Sequence, residues 1–207
     1  MTTTDNRSPK MMIQDRIESV RRALAILTPD DEKQLRHRQR MFNLLDSARD
    51  PFSRDDFEPG HFTASAFVLS PNRASLLLIY STKFQRWLQP GGHIDPSDDS
   101  IPQAAARETF EESGAHVLDT FAGLFDIDIH QIPANESKNE PAHEHFDLRF
   151  CFTASTTHHE PGSDARQSQW VPLDEITEQF TDASVMRAVK KIQKYHKDTK
   201  ETQRSHR

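Results

Sequence analysis

The sequence has very little cysteine and no long apolar run, and each absence narrows the possible classes of protein. Cys151 is the only cysteine among 207 residues, so no internal disulfide can form and nothing indicates an oxidising compartment. The N-terminal residues 1–10 are polar, and no apolar run reaches the roughly eighteen residues of a membrane-spanning helix. We therefore expect a cytoplasmic protein that does not enter a membrane.

The chain also lacks an excess of positive charge. Its formal net charge is −6, whereas binding to a nucleic acid polymer requires clustered Lys and Arg. The basic run from Lys33 to Arg40 could contact nucleic acid, but a solvated helix face is the favoured interpretation. With 207 residues, the chain can bury a sizeable core in one domain with an extension. We expect no nucleic acid polymer as a partner.

A short, well-bounded helix is predicted over residues 101–113. Ser100 stands three residues before Gln103, which is the spacing of a capping box, and Pro102 falls in the first turn, where its missing N–H costs nothing. Gly114 supplies the residue expected just past the last turn. These residues predict where the helix begins and ends.

Three glutamates share one face of this helix. Glu111 and Glu112 lie three and four residues after Glu108. Like charges at these spacings destabilise a helix by roughly 0.2–0.5 kcal/mol per pair. A solvated acidic patch is one interpretation. The loop Pro90-Gly91-Gly92 favours the other, a metal site, because its small residues let the backbone approach an ion closely. Carboxylate ligands suit hard cations such as Mg²⁺ or Mn²⁺.

The stretch from Gly92 to Ala115 resembles the signature of the Nudix hydrolases, the MutT-like family. Their pattern is G-x5-E-x7-R-E-U-x-E-E-x-G-U, where U is a bulky apolar residue. Its central part is complete here in Arg107, Glu108, Glu111, Glu112 and Gly114.

Three departures from the signature affect the loop more than the glutamate face. The spacing from Gly92 to Arg107 is one residue longer than in the pattern. The position eight before Arg107, normally Glu, is Asp99. Thr109 replaces an apolar residue, and Ala115 is a small version of the last apolar position. An insertion before the helix leaves the mutual geometry of the glutamates unchanged.

The resemblance implies a fold and a reaction. The fold is α/β (α+β), a Nudix-like α/β/α sandwich with a mixed sheet over residues 60–197. The reaction is metal-dependent hydrolysis of a pyrophosphate bond in a nucleoside diphosphate linked to another moiety, so the partner is a small phosphorylated molecule. A catalytically inactive Nudix-like module that binds a ligand or regulates is the alternative. A third possibility, isomerisation of a prenyl diphosphate, calls for a cysteine and an acid that face the carbon chain.

The resemblance also implies roles for individual residues. Glu108 and Glu112 would ligate Mg²⁺ or Mn²⁺, Glu111 would ligate the ion or act as the base, and the Gly92 carbonyl could add a ligand. Arg107 is expected to orient the glutamates by ion pairing, because it lies one turn before Glu111. The catalytic candidates are therefore Arg107, Glu111 and Glu112.

A further acidic residue often precedes the late tryptophan in this family, either as a metal ligand or as a base. Trp170 occupies that place here. Asp164 is the first candidate for the acid, and Glu160 is the second.

The segment from Ala142 to Thr153 predicts a strand with one apolar face and one polar face. The polar positions are His145, Asp147, Arg149 and Cys151. Arg149 is a candidate for binding the substrate pyrophosphate, since guanidinium groups form bidentate contacts with phosphates. A structural Arg–Asp pair is the equally weighted alternative. Cys151 is expected to be a buried or half-buried strand residue.

Several histidines raise the question of a transition metal. His143 and His145, like His158 and His159, are close in sequence, but no cysteine or third spaced ligand completes a tetrahedral zinc set. We therefore expect polar surface residues. His93, which follows the glycines, is a substrate-binding candidate or merely fills the loop.

Outside the core domain we expect three segments. Residues 1–10 are predicted to be disordered, residues 11–50 to form a helical hairpin, and residues 198–207 to form a flexible basic tail after a closing helix over residues 183–195. Three roles are open for the hairpin. It packs on the hydrolase domain, mediates a homodimer or shapes the substrate cleft.

Overall fold

The computed structural model describes residues 9–120, 123–158 and 167–205. Its α-helices are α1 (Pro9–Ile26), α2 (Glu32–Ser47), α3 (Ile101–Ser113) and α4 (Ala183–Ser205). Its strands are β1 (Gly60–Leu69), β2 (Ser75–Ser81), β3 (Arg86–Leu88), β4 (Gly91–His93), β5 (Val117–Thr120), β6 (Asp126–Ile132), β7 (His143–Ala154) and β8 (Ser168–Pro172). A 3₁₀ turn at Glu136–Lys138 lies between β6 and β7.

The strands form one mixed sheet with β1 at its centre. β1 pairs in parallel with β7 along its whole length and in antiparallel with β2 and β4. β3 and β8 add to β2, while β5 and β6 pair with β7. Every residue of β1 is buried, because helices cover both faces of the sheet.

Two apolar cores alternate along β1. Phe62 and Val68 belong to the core shared with α1, α2 and α3, whereas Phe67 and Leu69 belong to the core beneath α4. This alternation follows the two-residue period of a strand. The predicted α/β/α arrangement with a mixed sheet and additional N-terminal helices is confirmed.

The caps predicted for α3 are present. The Ser100 hydroxyl accepts a hydrogen bond from the Gln103 N–H at 3.3 Å, and Gly114 adopts a left-handed conformation with φ 72°. The helix begins and ends where the sequence predicts.

The N-terminal hairpin packs on the core domain, the first of its three expected roles. Met41 and Leu44 of α2 are buried in the first core. Gln34 donates a side-chain hydrogen bond to Asp126. From α1, Arg16 donates to the backbone carbonyls of Asp95 and Pro96 at 3.2 and 2.9 Å. The hairpin thus holds the loop that precedes α3.

Two predicted boundaries need correction. α1 begins at Pro9, so residues 9–10 are helical, and residues 1–8 lie outside the described part of the chain. α4 continues to Ser205, so residues 198–205 belong to that helix and do not form a separate tail. Among the described residues, no helix combines the length and apolar character needed to cross a membrane.

Candidate active site

The glutamate face of α3 borders a cleft of about 620 Å³ beside β4. Glu108 and Glu112 line this cleft together with Gly91 and Gly92. The Gly91 N–H donates to Glu112 Oε2 at 2.9 Å. A Cβ atom added to Gly92 would lie 2.5 Å from Glu108 Oε2, so a side chain here would push the Glu108 carboxylate away from the backbone. Glu111 is about half exposed, in an adjoining groove.

Arg107 connects the glutamate face to the preceding loop. Its Nη1 atom donates to Glu108 Oε1 at 2.9 Å and to Glu111 Oε2 at 3.0 Å. Its Nη2 atom donates to the His93 carbonyl at 2.9 Å, and two further hydrogen bonds of 2.9 Å join the guanidinium to Asp98. Hydrogen bonding to Asp98, the largest cause, raises the pKa of Arg107 above its ordinary value. The ion pair with Glu111 is the one that helical spacing predicts.

Asp98, rather than Asp99, is the carboxylate that meets the signature arginine. Asp98 is buried, whereas Asp99 is exposed. Counting forward from Gly92 by the signature's spacing reaches Asp98, while counting back from Arg107 reaches Asp99. The extra residue therefore lies between Asp98 and Arg107, and the forward count could have identified the correct acid.

The glutamate face carries more negative charge than its arginine balances. Asp98, Glu108 and Glu111 all pair with Arg107. Burial raises the pKa of Glu108, and the hydrogen bond from Arg107 opposes that shift. Oxygen donors, surplus negative charge and a close glycine backbone together fit a hard divalent cation.

Arg149 lies at the floor of the cleft in a network of buried aspartates. Its Nε atom donates to Asp147 Oδ2 at 2.8 Å, and its other nitrogens lie 3.5 and 3.6 Å from carboxylate oxygens of Asp128 and Asp126. Only 2% of Arg149 is exposed. Burial alone would lower its pKa, but the three aspartates raise it above the ordinary value. The structural Arg–Asp pair is present, and Arg149 also lines the cleft, so its binding of the substrate pyrophosphate stays a prediction.

Basic side chains surround the mouth of the same cleft. Arg54, Lys83, Arg86 and Lys138 line it, together with Phe84, whose side chain is 40% exposed. These residues come from separate loops and short elements. Their convergence has no spacing pattern in the sequence, so sequence reasoning missed them.

His61, His93 and His145 form a group on one side of the cleft. Each offers a ring nitrogen, and these three atoms lie within 4.8 Å of one another. His61 is fully buried and His143, beside it, is 5% exposed. The surface interpretation of His143 and His145 was wrong, because the pairing of β1 with β4 and β7 brings distant residues together. His158 is exposed as expected.

The remaining candidates divide into two groups. Asp164, Glu160 and His159 lie outside the described residues. Cys151 is fully buried in the core beneath α4, and burial raises the pKa of its thiol. It does not line the cleft, so the isomerisation alternative loses its required cysteine.

Comparison with known proteins identifies the family. The NUDIX domain family matches residues 59–191, well over half of the chain. The chain belongs to the Nudix hydrolase family. This Nudix protein is 33% identical over 88 residues to the probable DHNTP pyrophosphohydrolase of Lactococcus lactis subsp. cremoris. That match covers 42% of this chain and only 51% of the relative's length.

Solved structures of Nudix proteins are similar to this one at low identity. A NUDIX-family hydrolase from Clostridium perfringens is 22% identical, with a TM-score of 0.48, covering 64% of this chain and 96% of that chain. An Ap4A hydrolase from C. elegans in a binary complex is 17% identical, with a TM-score of 0.48, covering 66% and 98% of the two chains.

Proposed function

We propose that this Nudix protein hydrolyses a pyrophosphate bond in a nucleoside diphosphate linked to another moiety, with Mg²⁺ or Mn²⁺ on the glutamate face. The observation that carries this proposal is the set of α3 carboxylates, under-neutralised by Arg107, at the edge of a cleft lined with basic residues. The similarity to the Lactococcus relative, a probable pyrophosphohydrolase, supports the reaction class.

The residues that would hold the ion are Glu108, Glu111, Glu112 and the Gly92 carbonyl. When bound, such an ion neutralises phosphate charge and lowers the pKa of an attacking water. The hydrogen bond from the Gly91 N–H fixes one oxygen of Glu112. Asp164 remains a predicted additional ligand.

Three residues of α3 have separate roles in the proposed reaction. Glu111, half exposed in the groove that adjoins the cleft, and Glu112, which lines the cleft, are the groups that can accept the proton of the attacking water. Arg107 acts through its hydrogen bonds, because it holds Glu108 and Glu111 in place. It is therefore a positioning residue.

Substrate recognition is assigned to the rim and wall of the cleft. Arg86 and Lys138 offer positive charge to the phosphates, and Phe84 offers an exposed ring on which a nucleobase can stack. Arg149 contributes from the floor by fixing Asp147. His93 faces the same cleft.

The inactive binding module is the weaker alternative. Its argument from sequence was the lengthened loop, but the extra residue lies before Arg107 and leaves the glutamate face intact. The cytoplasmic location and the homodimer stay predictions.

A substrate panel tests the proposed reaction. We expect the purified protein, with Mg²⁺ or Mn²⁺, to release phosphate-containing products from nucleotide sugars, dinucleoside polyphosphates, dinucleotides or nucleoside triphosphates, as separated by ion-exchange chromatography. Chelation with EDTA should stop turnover, and added metal should restore it. Absence of turnover on the whole panel, with ligand binding retained, would instead indicate the binding module.

A further inference from the structure

We propose that His61, His93 and His145 form a second metal site that takes a transition metal ion of the Zn²⁺ type, separate from the glutamate face. The site follows from the sheet. His61 of β1 is paired directly with His145 of β7, and His93 of β4 is paired with Thr63, two residues further along β1. Three neighbouring strands thus direct imidazoles to one place.

The distances suit a three-histidine site. The ring centroids are 5.1 Å apart for His61 and His93, 4.9 Å for His61 and His145, and 5.3 Å for His93 and His145. Tetrahedral zinc with Zn–N bonds of about 2.1 Å needs nitrogens about 3.3–3.4 Å apart. Since the three ring nitrogens already lie within 4.8 Å of one another, small side-chain rotations bring them to that spacing.

His61 supplies an independent indication that an ion belongs there. Its Nδ1 atom lies 2.9 Å from the Asp56 carbonyl, which can only accept, so Nδ1 carries the hydrogen. Its Nε2 atom then carries a lone pair and no hydrogen. This atom is buried and has no hydrogen-bond partner. A buried unsatisfied nitrogen is costly, and a metal ion satisfies it. An imidazole held by a carbonyl through one nitrogen is the usual state of a metal ligand.

His143 plays the same supporting part for His145. Its Nδ1 atom lies 2.8 Å from the Pro141 carbonyl, and its Nε2 atom lies 3.2 Å from His145 Nε2. Because the carbonyl requires the hydrogen on Nδ1, neutral His143 accepts the hydrogen bond from His145. Two of the three proposed ligands, His61 and His145, therefore already have a hydrogen-bond partner that orients the ring.

The chemistry of the three donors indicates the class of metal. Imidazole ligands favour Zn²⁺, Cu²⁺, Ni²⁺ or iron over Mg²⁺. Three protein ligands leave a position for water or an anion, and His93 and His145 line the cleft that Glu108 borders. We expect a phosphate oxygen to occupy this fourth coordination position.

Cobalt binding to the metal-depleted full-length protein tests this site without reference to turnover. In excess Mg²⁺, which occupies the glutamate face, we expect one Co²⁺ per chain, with the strong visible absorption of a four- or five-coordinate ion, and we expect Zn²⁺ to displace it. H93Q and H145Q should each weaken Co²⁺ binding by about tenfold or more. H116Q is the matched control, because His116 is exposed beside Phe110, and it should bind Co²⁺ as the native chain does.

Two results would overturn the proposal. One is Co²⁺ binding that excess Mg²⁺ or E112Q abolishes, which places the ion on the glutamate face. The other is native Co²⁺ affinity in H93Q. His93 is only half-buried, so this variant decides the question should H145Q fail to fold, as judged by circular dichroism.

Discussion

Two acid-rich clusters border the cleft, and they differ in how their negative charge is balanced. The aspartate network of Asp126, Asp128 and Asp147 is buried, and Arg149, Arg187 and Lys33 supply it with cations. The glutamate face is more open, and two of its acids, Glu108 and Glu111, share the guanidinium of Arg107. Among the described ion pairs, the first cluster matches three carboxylates with three cations, whereas Asp98, Glu108 and Glu111 all pair with the one guanidinium of Arg107. Charge balance, rather than the number of acids, distinguishes a structural cluster from one that can bind an ion.

The electrostatics of Asp128 fit this distinction. Burial would raise its pKa, but hydrogen bonding with His37 and the nearby charge of Arg149 hold the pKa well below its usual range. Its charge is therefore satisfied by the protein itself. No cation needs to be added.

Removing the cation of the aspartate network should have the largest effect. Arg149→Met leaves buried carboxylates without their partner, and we expect a loss of about 3–5 kcal/mol in the free energy of unfolding, measured by urea denaturation. Arg86→Met, at an exposed rim position, is the control and should change stability by no more than about 0.5 kcal/mol. An Arg149→Met protein of native stability with a raised KM would make Arg149 a substrate-binding residue.

Neutralising one acid of the glutamate face should act on turnover alone. For Glu112→Gln we expect turnover to fall by about 10²-fold or more, since a metal ligand supplies several kcal/mol of transition-state stabilisation. The thermal midpoint should stay close to native. Glu175→Gln, at an exposed turn position, is the matched control. Near-native turnover by Glu112→Gln would refute the metal assignment.

The neighbouring pair Asp98 and Asp99 provides a test of intermediate size. Asp98→Asn weakens two charge-assisted hydrogen bonds to Arg107, and we expect about 1.5–3 kcal/mol less stability together with reduced turnover. Asp99→Asn should be within about 0.5 kcal/mol of native. Equal effects of the two substitutions in parallel urea and turnover measurements would contradict the assignment of Asp98 to the signature's acid.

The smallest effect concerns the rim, which belongs to neither acidic cluster. Phe84→Ala should raise KM for a nucleotide substrate by roughly fivefold, or about 1 kcal/mol, with kcat unchanged. Phe110→Ala, at an exposed position outside the cleft, is the control. A kcat change with constant KM would show that Phe84 does not stack on the substrate.

The sequence predicts those parts of the site that depend on neighbours along the chain. Ser100, Gly114 and the spacing of the glutamates define α3 because caps and i, i+4 contacts are local. The sequence predicts a loop where β4 forms, because Gly91 and Gly92 have little strand preference and pair through contact with β1.

Long-range strand register explains what the sequence could not predict. His61 and His145 are separated by much of the chain, and only the parallel pairing of β1 with β7 places them side by side. The buried position of Arg149 has the same origin, since its aspartate partners lie on β6 and β7. A sequence pattern indicates the face of a strand, but not which strand will lie beside it.

The hydrogen bonds from Arg16 join α1 to the loop before α3, so they cross the boundary of the family match. The family match begins at residue 59, yet the loop that carries Asp98 is held from α1. A fragment that starts at the family boundary would also uncover the apolar surface that Leu24 and Met41 now fill. The segment that matches the family, residues 59–191, is therefore shorter than the segment that packs around the shared core, which includes α1 and α2.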